Sequence, residues 1–546
     1  NTIYYGSQYL HKSSSNGASW ETISPDLTSN DTALITAYKN TGGLTMDVTG
    51  AESHCTILTI APSPKEKGTI WIGTDDGVVQ LTRDGGATWT SFKGKIPGLP
   101  NGCWIPQIRA STHSAGEVFV VANDYRQGDF KPYIFRSTDY GKTWTRMVDE
   151  KKLNGYALCM IQDPVQPGLI FVGTERGLWI SLDNGNSFEQ WKNGYPSVST
   201  YDLAIQEREA DLAIATFGRS MWVLDDIRPL RDLAAKQGQT YTKPITLLSA
   251  LDGYQMQSKS APGFVNSTAG IWSGDDRSQG ARITFFLNKK ALANAPKKDT
   301  VQVQIFDANG QNIRNLRWGA DTGFNVAYWR MEQKGFRGLG APKPLPNSTE
   351  PFGGMAFPGK YKIVLNYEKN TDSAIINVMD DPRMGDRNAI KIAQRNMLNR
   401  LKTGTDKLNE GLDRLTDAET IANKMIAQYK AVEGKEADTI RKSSNKILED
   451  IKVIREIVNG KPSDKQGLTR NQAEGAIFGD YQLAITNIQR KMVAPGAQEE
   501  KLVTNVEKRM TETVNRINEF FAGKWTAYRE LVENTKVNLF KDYKPL

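Results

Sequence analysis

One eight-residue signature recurs toward the amino-terminal end of this chain, and it constrains the fold more than any other feature. It reads hydroxyl residue, any residue, Asp, any residue, Gly, two further residues, then an aromatic. Three copies are complete: Thr82-Arg83-Asp84-Gly85-Gly86-Ala87-Thr88-Trp89, Ser137-Thr138-Asp139-Tyr140-Gly141-Lys142-Thr143-Trp144 and Ser181-Leu182-Asp183-Asn184-Gly185-Asn186-Ser187-Phe188. A weaker copy, Ser13-Ser14-Ser15-Asn16-Gly17-Ala18-Ser19-Trp20, carries Ser15 where the others carry Asp. Such a segment is a hairpin clasp. The carboxylate and hydroxyl bond to backbone within the turn, Gly takes a positive φ, and the aromatic fills the gap between sheets. Asp84, Asp139 and Asp183 are therefore predicted to be structural rather than catalytic or calcium-binding, with Trp89, Trp144 and Phe188 as packing plugs.

The clasps follow strand pairs with a polar turn between them: Thr69-Ile70-Trp71-Ile72-Gly73 with Val78-Val79-Gln80-Leu81, and Leu169-Ile170-Phe171-Val172-Gly173 with Leu178-Trp179-Ile180-Ser181. A preceding apolar strand and a strand after the aromatic bring each repeat to four antiparallel strands, the content of a propeller blade. A last unit, Leu212-Ala213-Ile214-Ala215-Thr216 with Ser220-Met221-Trp222-Val223-Leu224, lacks the clasp and ends at Asp225-Asp226.

These clasps resemble Asp-box (BNR) repeats. The strings Gly73-Thr74-Asp75-Asp76-Gly77, Gly173-Thr174-Glu175-Arg176-Gly177 and Thr216-Phe217-Gly218-Arg219-Ser220 through Asp226 resemble the end of the β-propeller in bacterial sortilin/Vps10-like proteins, often labelled glycosyl hydrolases. The resemblance extends into residues 240–385 and implies a larger parent. Ile3-Tyr4-Tyr5-Gly6 reads as the middle of a repeat, and roughly four and a half blades leave sheet edges bare. Further N-terminal blades, from the same precursor or another chain, are the partner expected.

The 546 residues suit about three domains: propeller blades over 1–228, an immunoglobulin-like β-sandwich with linker over 229–385, and a helical bundle over 386–546. Period-two segments such as Ala281-Arg282-Ile283-Thr284-Phe285-Phe286-Leu287 and Val301-Gln302-Val303-Gln304-Ile305-Phe306 mark the sandwich. The Pro- and Gly-rich stretch 335–354 is predicted irregular and exposed. Beyond Arg387, the stripe Ile390, Met397, Leu401, Leu408, Leu412, Leu415, Ala422 and Met425 predicts a long helix. Further helices are expected near 436–458, 472–492 and 499–534.

Composition narrows the chemistry. The net charge of +8 arises from 69 basic and 61 acidic residues, a near-balance that disfavours a nucleic-acid groove. No apolar run is long enough to span a bilayer. Cys55, Cys103 and Cys159 match neither a zinc site nor a disulfide scaffold, and read as small packing residues, with a Cys55–Cys103 bridge as the lesser alternative. No metal or cofactor is expected. Asn30, Asn266 and Asn347 begin Asn-x-Ser/Thr strings that bear on function only in a eukaryotic source.

Ligands are expected at the loops between second and third strands, opposite the clasps. These carry Asp75, Asp76, Asp124, Tyr125, Arg126, Asp129, Glu175, Arg176, Phe217 and Arg219. Paired carboxylates there could act as acid and base on a glycosidic bond. The preferred expectation is a secreted or cell-surface binding or assembly protein without catalysis, recognising a protein, peptide or glycan. The alternative is a glycoside hydrolase whose active site is shared with upstream blades.

Overall fold

The computed structural model describes residues 2–36, 54–237, 241–256, 278–292, 300–345, 348–461, 475–536 and 545. The chain divides into two compact units, Asn1–Tyr241 and Thr242–Leu546. Asn266 and Asn347 lie outside the described residues.

Among the described residues, five antiparallel sheets follow one another through the first unit, each with its strands side by side in chain order. The first holds Ile3–Gly6, Leu10–Ser13 and Glu21–Thr22. The second holds Ile57–Pro62, Ile70–Thr74, Val79–Thr82 and Thr90–Ser91, and the third Trp104–Ala110, Val118–Asp124, Asp129–Ser137 and Thr145–Arg146. The fourth holds Ala157–Gln162, Ile170–Thr174, Gly177–Ser181 and Glu189–Gln190, and the fifth Thr200–Gln206, Asp211–Thr216 and Met221–Leu224. From the second sheet to the fifth, the first strand contacts the first strand of the next sheet, so the innermost strands gather along a common axis.

The second strands explain why the sheets stack. Ile70–Thr74 and Ile170–Thr174 are buried along their whole length, because each sheet is covered on both faces. In Val118–Asp124 alternate side chains serve different neighbours, as the two-residue period of a strand dictates. Val118, Val120 and Ala122 pack with Trp71 and Leu81 of the preceding sheet, whereas Phe119 and Val121 pack with Ile170 and Val172 of the following one. Backbones approach so closely that a Cβ on Gly73 would lie 2.5 Å from Ile105, and one on Gly173 would lie 2.5 Å from the Thr200 carbonyl oxygen.

The repeated turns form the clasp that their residues predict. Thr82 donates to Asp84 Oδ1 at 2.8 Å and accepts the Gly86 N–H at 2.9 Å. Asp84 accepts the Thr88 N–H at 2.9 Å and its hydroxyl at 2.6 Å. The same four bonds recur around Asp139 and around Asp183. In the weak copy Ser15 takes the carboxylate's place, accepting the Ser19 N–H at 2.9 Å. Trp89, Trp144 and Phe188 each pack into the seam between their own sheet and the one before it.

After Leu224 the chain leaves the fifth sheet without a fourth strand and enters the helix Arg228–Ala235, with Pro229 in its first turn. Arg231 clamps the fully buried Asp163 through bonds of 2.9–3.0 Å, and Arg228 holds Asp226 at 2.8 Å. A buried carboxylate left unpaired would be costly. The first compact unit therefore includes this helix and runs to Tyr241.

The second unit joins a β-sandwich to helices. Ile245–Ala250, Ala281–Leu287 and Gly323–Trp329 form one sheet; Gly253–Gln255, Asn370–Asp380, Gly359–Tyr367, Thr300–Phe306 and Asn312–Gly319, in that spatial order, form the other. Their inner faces share one core that includes Phe285, Trp329, Val303 and Ile363. The helices are Asn388–Gln428, Lys435–Asn459, Ile477–Arg490 and Ala497–Phe520, the last continuing through one wide turn into Thr526–Asn534. Residues 472–474 of the expected third helix lie outside the described residues.

Residues 342–345, 348 and 349 of the stretch 335–354 are exposed as expected, whereas the part around 337–339 is not. Leu339 is buried in the helical core, Arg337 forms a two-pronged pair with Asp413 at 2.7 and 2.8 Å, and Asn409 accepts the Gly340 N–H at 2.8 Å. Short polar stretches look solvated in sequence, yet this one is fastened by an ion pair and a buried leucine, which is why sandwich and helices share one unit.

Cys55, Cys103 and Cys159 are buried free thiols, so no bridge joins Cys55 to Cys103. Burial pushes the Cys103 thiol up to about 12. Among the described residues no group of three or more His, Cys, Asp or Glu is placed to hold a metal, and no helix is long and apolar enough to cross a membrane.

Candidate functional site

The loops between second and third strands share one side of the array with the connections into the first strands, and the clasps lie on the other side. Asp75 and Asp76 are turned into this surface rather than out of it, with 6% and 5% exposure. Asp75 accepts the Thr56 N–H at 2.7 Å, and Asp76 accepts the Ser29 N–H at 2.7 Å together with the Thr74 hydroxyl. Burial raises the Asp75 pKa; for Asp76 burial acts the same way but is outweighed by the bonds from Ser29 and Thr74, so its pKa falls. Both carboxylates fasten the 29 and 56 segments to the second sheet. They are not a solvent-facing rim pair.

The loop after Val118–Asp124 behaves differently. Tyr125–Gln127 forms a single 3-10 turn closed by Gly128 in the left-handed conformation, which lifts Tyr125 and Arg126 over the surface. The Arg126 guanidinium sits 3.1 Å from the Trp104 ring centroid and 4.5 Å from that of Tyr125. Tyr125 stacks on Tyr156 of the next sheet, centroids 4.5 Å apart, and Phe130 tilts against Tyr156 at 6.2 Å. One sheet further on, Tyr201 and Phe217 are 6.0 Å apart and both exposed, Phe217 by 74%.

Tyr156 ties this run together. Its hydroxyl is pushed up to about 12, first by burial, then by the Glu175 charge and by Tyr125 and Tyr201, with Arg126 opposing. Glu175 donates its N–H to the Tyr156 carbonyl at 3.1 Å and is half-buried beside it. Arg176 is exposed, its carbonyl accepting from Gln190 at 2.8 Å and Ser197 at 2.9 Å; Arg219 is exposed on the fifth sheet. Next to Tyr156 a cavity of about 580 Å3 is lined by Asp129, Phe130, Lys131, Glu150 and Asn154 among others. Asp129 itself accepts the Tyr133 hydroxyl at 2.7 Å, and that bond with the Lys131 contacts lowers its pKa against the effect of burial.

The structure thus brings together Tyr125, Arg126 and Glu175 of the expected rim and adds Trp104, Phe130, Tyr156 and Tyr201. It separates Asp75 and Asp76 from them in role. On the innermost strands, Arg109 and Gln107 reach Asp202 at 3.4 and 3.3 Å, a polar contact across two sheets that no local motif announces. Flat aromatic faces interrupted by a guanidinium and a carboxylate suit a ligand with apolar ring faces and polar edges.

The first unit is β-propeller-like, and the chain as a whole is mainly β with a helical C-terminal region. No protein-family model matches the chain. It is 35% identical over 109 residues to an oligoxyloglucan-reducing end-specific xyloglucanase from Emericella nidulans, a match that covers 20% of this chain and 13% of that protein. Similar solved structures include a GH74 xyloglucanase from Xanthomonas campestris, at 14% identity and a TM-score of 0.30, covering 45% of this chain and 36% of that one. Another is Saccharomyces cerevisiae Sqt1, at 11% identity and a TM-score of 0.27, covering 69% and 79%. This chain spans a small fraction of the curated relative's length.

Proposed function

We propose that the first unit is the saccharide-binding face of a glycan-active β-propeller, taking a β-linked polysaccharide of the xyloglucan type across Trp104, Tyr125, Tyr156, Tyr201 and Phe217. One observation carries this reading: the aromatic run that crosses three successive sheets on the side opposite the clasps. Sugar rings stack on such faces, and Arg126 and Glu175 stand beside them as charged groups. The 35% identity to a xyloglucanase over 109 residues supports the substrate class. In this reading an acid and base pair for cleavage is shared with further blades, since Asp75 and Asp76 are occupied by backbone donors. The setting proposed is extracytoplasmic, where such polymers occur.

Titration calorimetry with xyloglucan oligosaccharides tests the proposal. Wild-type chain should bind, and Tyr156→Ala or Phe217→Ala should weaken binding by about tenfold, a stacking loss of roughly 1.4 kcal/mol. Phe217 is exposed enough that its removal leaves the fold intact. Equal affinity in all three proteins, or none in any, contradicts the reading.

A second reading, docking by further blades of the sortilin/Vps10-like Asp-box kind, is favoured by the exposed Met221 and Val223 on the fifth sheet. The sandwich of the second unit fits the immunoglobulin-like class, since its two sheets pack their inner faces on one core.

A further inference from the structure

Where the aromatic run reaches the fifth sheet, one extra residue changes what the innermost strand presents. Thr200 pairs with Thr216 and Asp202 with Ala215, so Tyr201 is a bulge in that strand. In a regular strand neighbouring side chains take opposite faces. The bulge suspends the alternation, and Tyr201 and Asp202 are both exposed between the buried Thr200 and Leu203. The second and fourth sheets carry the same bulge at Leu58 and Leu158, followed by Thr59 and Cys159. The repeat therefore requires neither a ring nor a charge at these two places.

Asp202 is held by one of its oxygens. Its Oδ1 accepts the Leu203 N–H at 2.9 Å, Gln107 Nε2 at 3.3 Å and Arg109 Nη2 at 3.4 Å. The Gln107 amide has a fixed orientation, because its Oε1 accepts the Met160 N–H at 2.8 Å and only Nε2 remains for Asp202. Arg109 is steadied by a second bond, from Nη2 to the Leu203 carbonyl at 3.2 Å. Among the described residues Asp202 Oδ2 and Arg109 Nη1 have no hydrogen-bond partner, and Arg109 Nε is buried without one. The Asp202 side chain is 64% exposed and that of Arg109 39%. An ion pair so open to water adds little stability, so folding does not account for the arrangement.

We infer that Tyr201, Asp202 and Arg109 form one saccharide subsite, with Gln107 as its positioning residue. A sugar presents an apolar ring face and, at its edge, hydroxyls that both donate and accept. The ring lies on Tyr201, one hydroxyl donates to Asp202 Oδ2, and its neighbour accepts from Arg109 Nη1. Stacking on the aromatic run tolerates many sugars; this anchored acceptor and donor select among them by the direction of their hydroxyls. The inference rests on the saccharide reading of the aromatic run and names the polar residues that give it specificity.

Titration calorimetry of the full chain with a xyloglucan oligosaccharide tests it, with thermal midpoints measured alongside. Asp202→Asn keeps the Oδ1 acceptor and turns Oδ2 into a donor, and should weaken binding about tenfold at an unchanged midpoint. Arg109→Met should weaken it several-fold. The double variant should lose less than the product of the two single losses, because each group orients the other. A role in folding alone would move the midpoints and leave affinity as it was. Wild-type affinity in Asp202→Asn, with Tyr156→Ala still weakened, overturns the inference and leaves the aromatic face standing. Absence of sugar binding by the wild-type chain overturns both. Where Asp202→Asn is destabilised, undiminished affinity in Arg109→Met overturns the inference by itself.

Discussion

The ring of Tyr125 lies nearly parallel to that of Tyr156, centroids 4.5 Å and planes 23° apart, although one sits in the turn after Val118–Asp124 and the other just ahead of Ala157–Gln162 in the next sheet. Each ring covers one side of the other, which holds both upright at a surface where single aromatics would lie down. The Arg126 guanidinium over Trp104 does the same one step inward. A rigid aromatic surface binds with less ordering cost than a mobile one.

The clasps should make stability acid-sensitive. The Thr88 hydroxyl and amide hold the Asp84 carboxyl down to about 2 from an ordinary 3.8, and Asp139 and Asp183 shift the same way. A carboxyl whose pKa is lower in the folded chain contributes its full stabilisation above the unfolded value and loses it as pH falls through the folded one. The thermal midpoint of the wild type should therefore exceed that of Asp84→Asn above pH 3.8, and the gap should close toward pH 2. At neutral pH, Asp183→Ala should cost about 1–2 kcal/mol in urea unfolding.

Close packing between successive sheets predicts an asymmetric pair of substitutions. Gly173→Val drives its side chain against the Thr200 carbonyl and should destabilise by about 2–3 kcal/mol. Ala215 holds the equivalent position in the fifth sheet, where no further described sheet follows, so Ala215→Val should stay within about 0.5 kcal/mol of wild type. Denaturant midpoints of the two variants decide the point.

Asp76 should matter for stability and not for ligand. Asp76→Ala leaves the Ser29 N–H without its acceptor and takes one partner from the buried Thr74 hydroxyl, at a cost of about 1–3 kcal/mol. Oligosaccharide affinity below the melting range should be unchanged. A selective loss of affinity with an unaltered melting curve would return Asp76 to the ligand.

What the residues announced in advance follows from the range of the forces involved. The clasp is decided within eight neighbouring residues, so its bonds and its aromatic plug were legible. The second helix of the C-terminal region, expected over 436–458, is Lys435–Asn459, because a buried stripe of Ile440, Ile447, Ile451 and Ile454 sets its face. The aromatic run was not legible: Trp104, Tyr125, Tyr156 and Tyr201 lie on separate strands and loops, and only sheet-to-sheet packing brings them together. Asp75 and Asp76 stand where rim residues stand, yet loop position alone does not reveal that a carboxylate turns inward toward two backbone N–H groups. The 335–354 stretch hid for a related reason, since Asp413 and Asn409 reach it from a distant helix.

Hydroxyl-radical footprinting of the chain with and without a xyloglucan oligosaccharide puts the central claim to its most direct test. Tyr156, Tyr201 and Phe217 should be protected together by the sugar, while Trp20 and Phe352, exposed elsewhere, keep their reactivity. Saturable sugar binding that leaves those three rings as reactive as before would place the ligand on another surface and contradict the account.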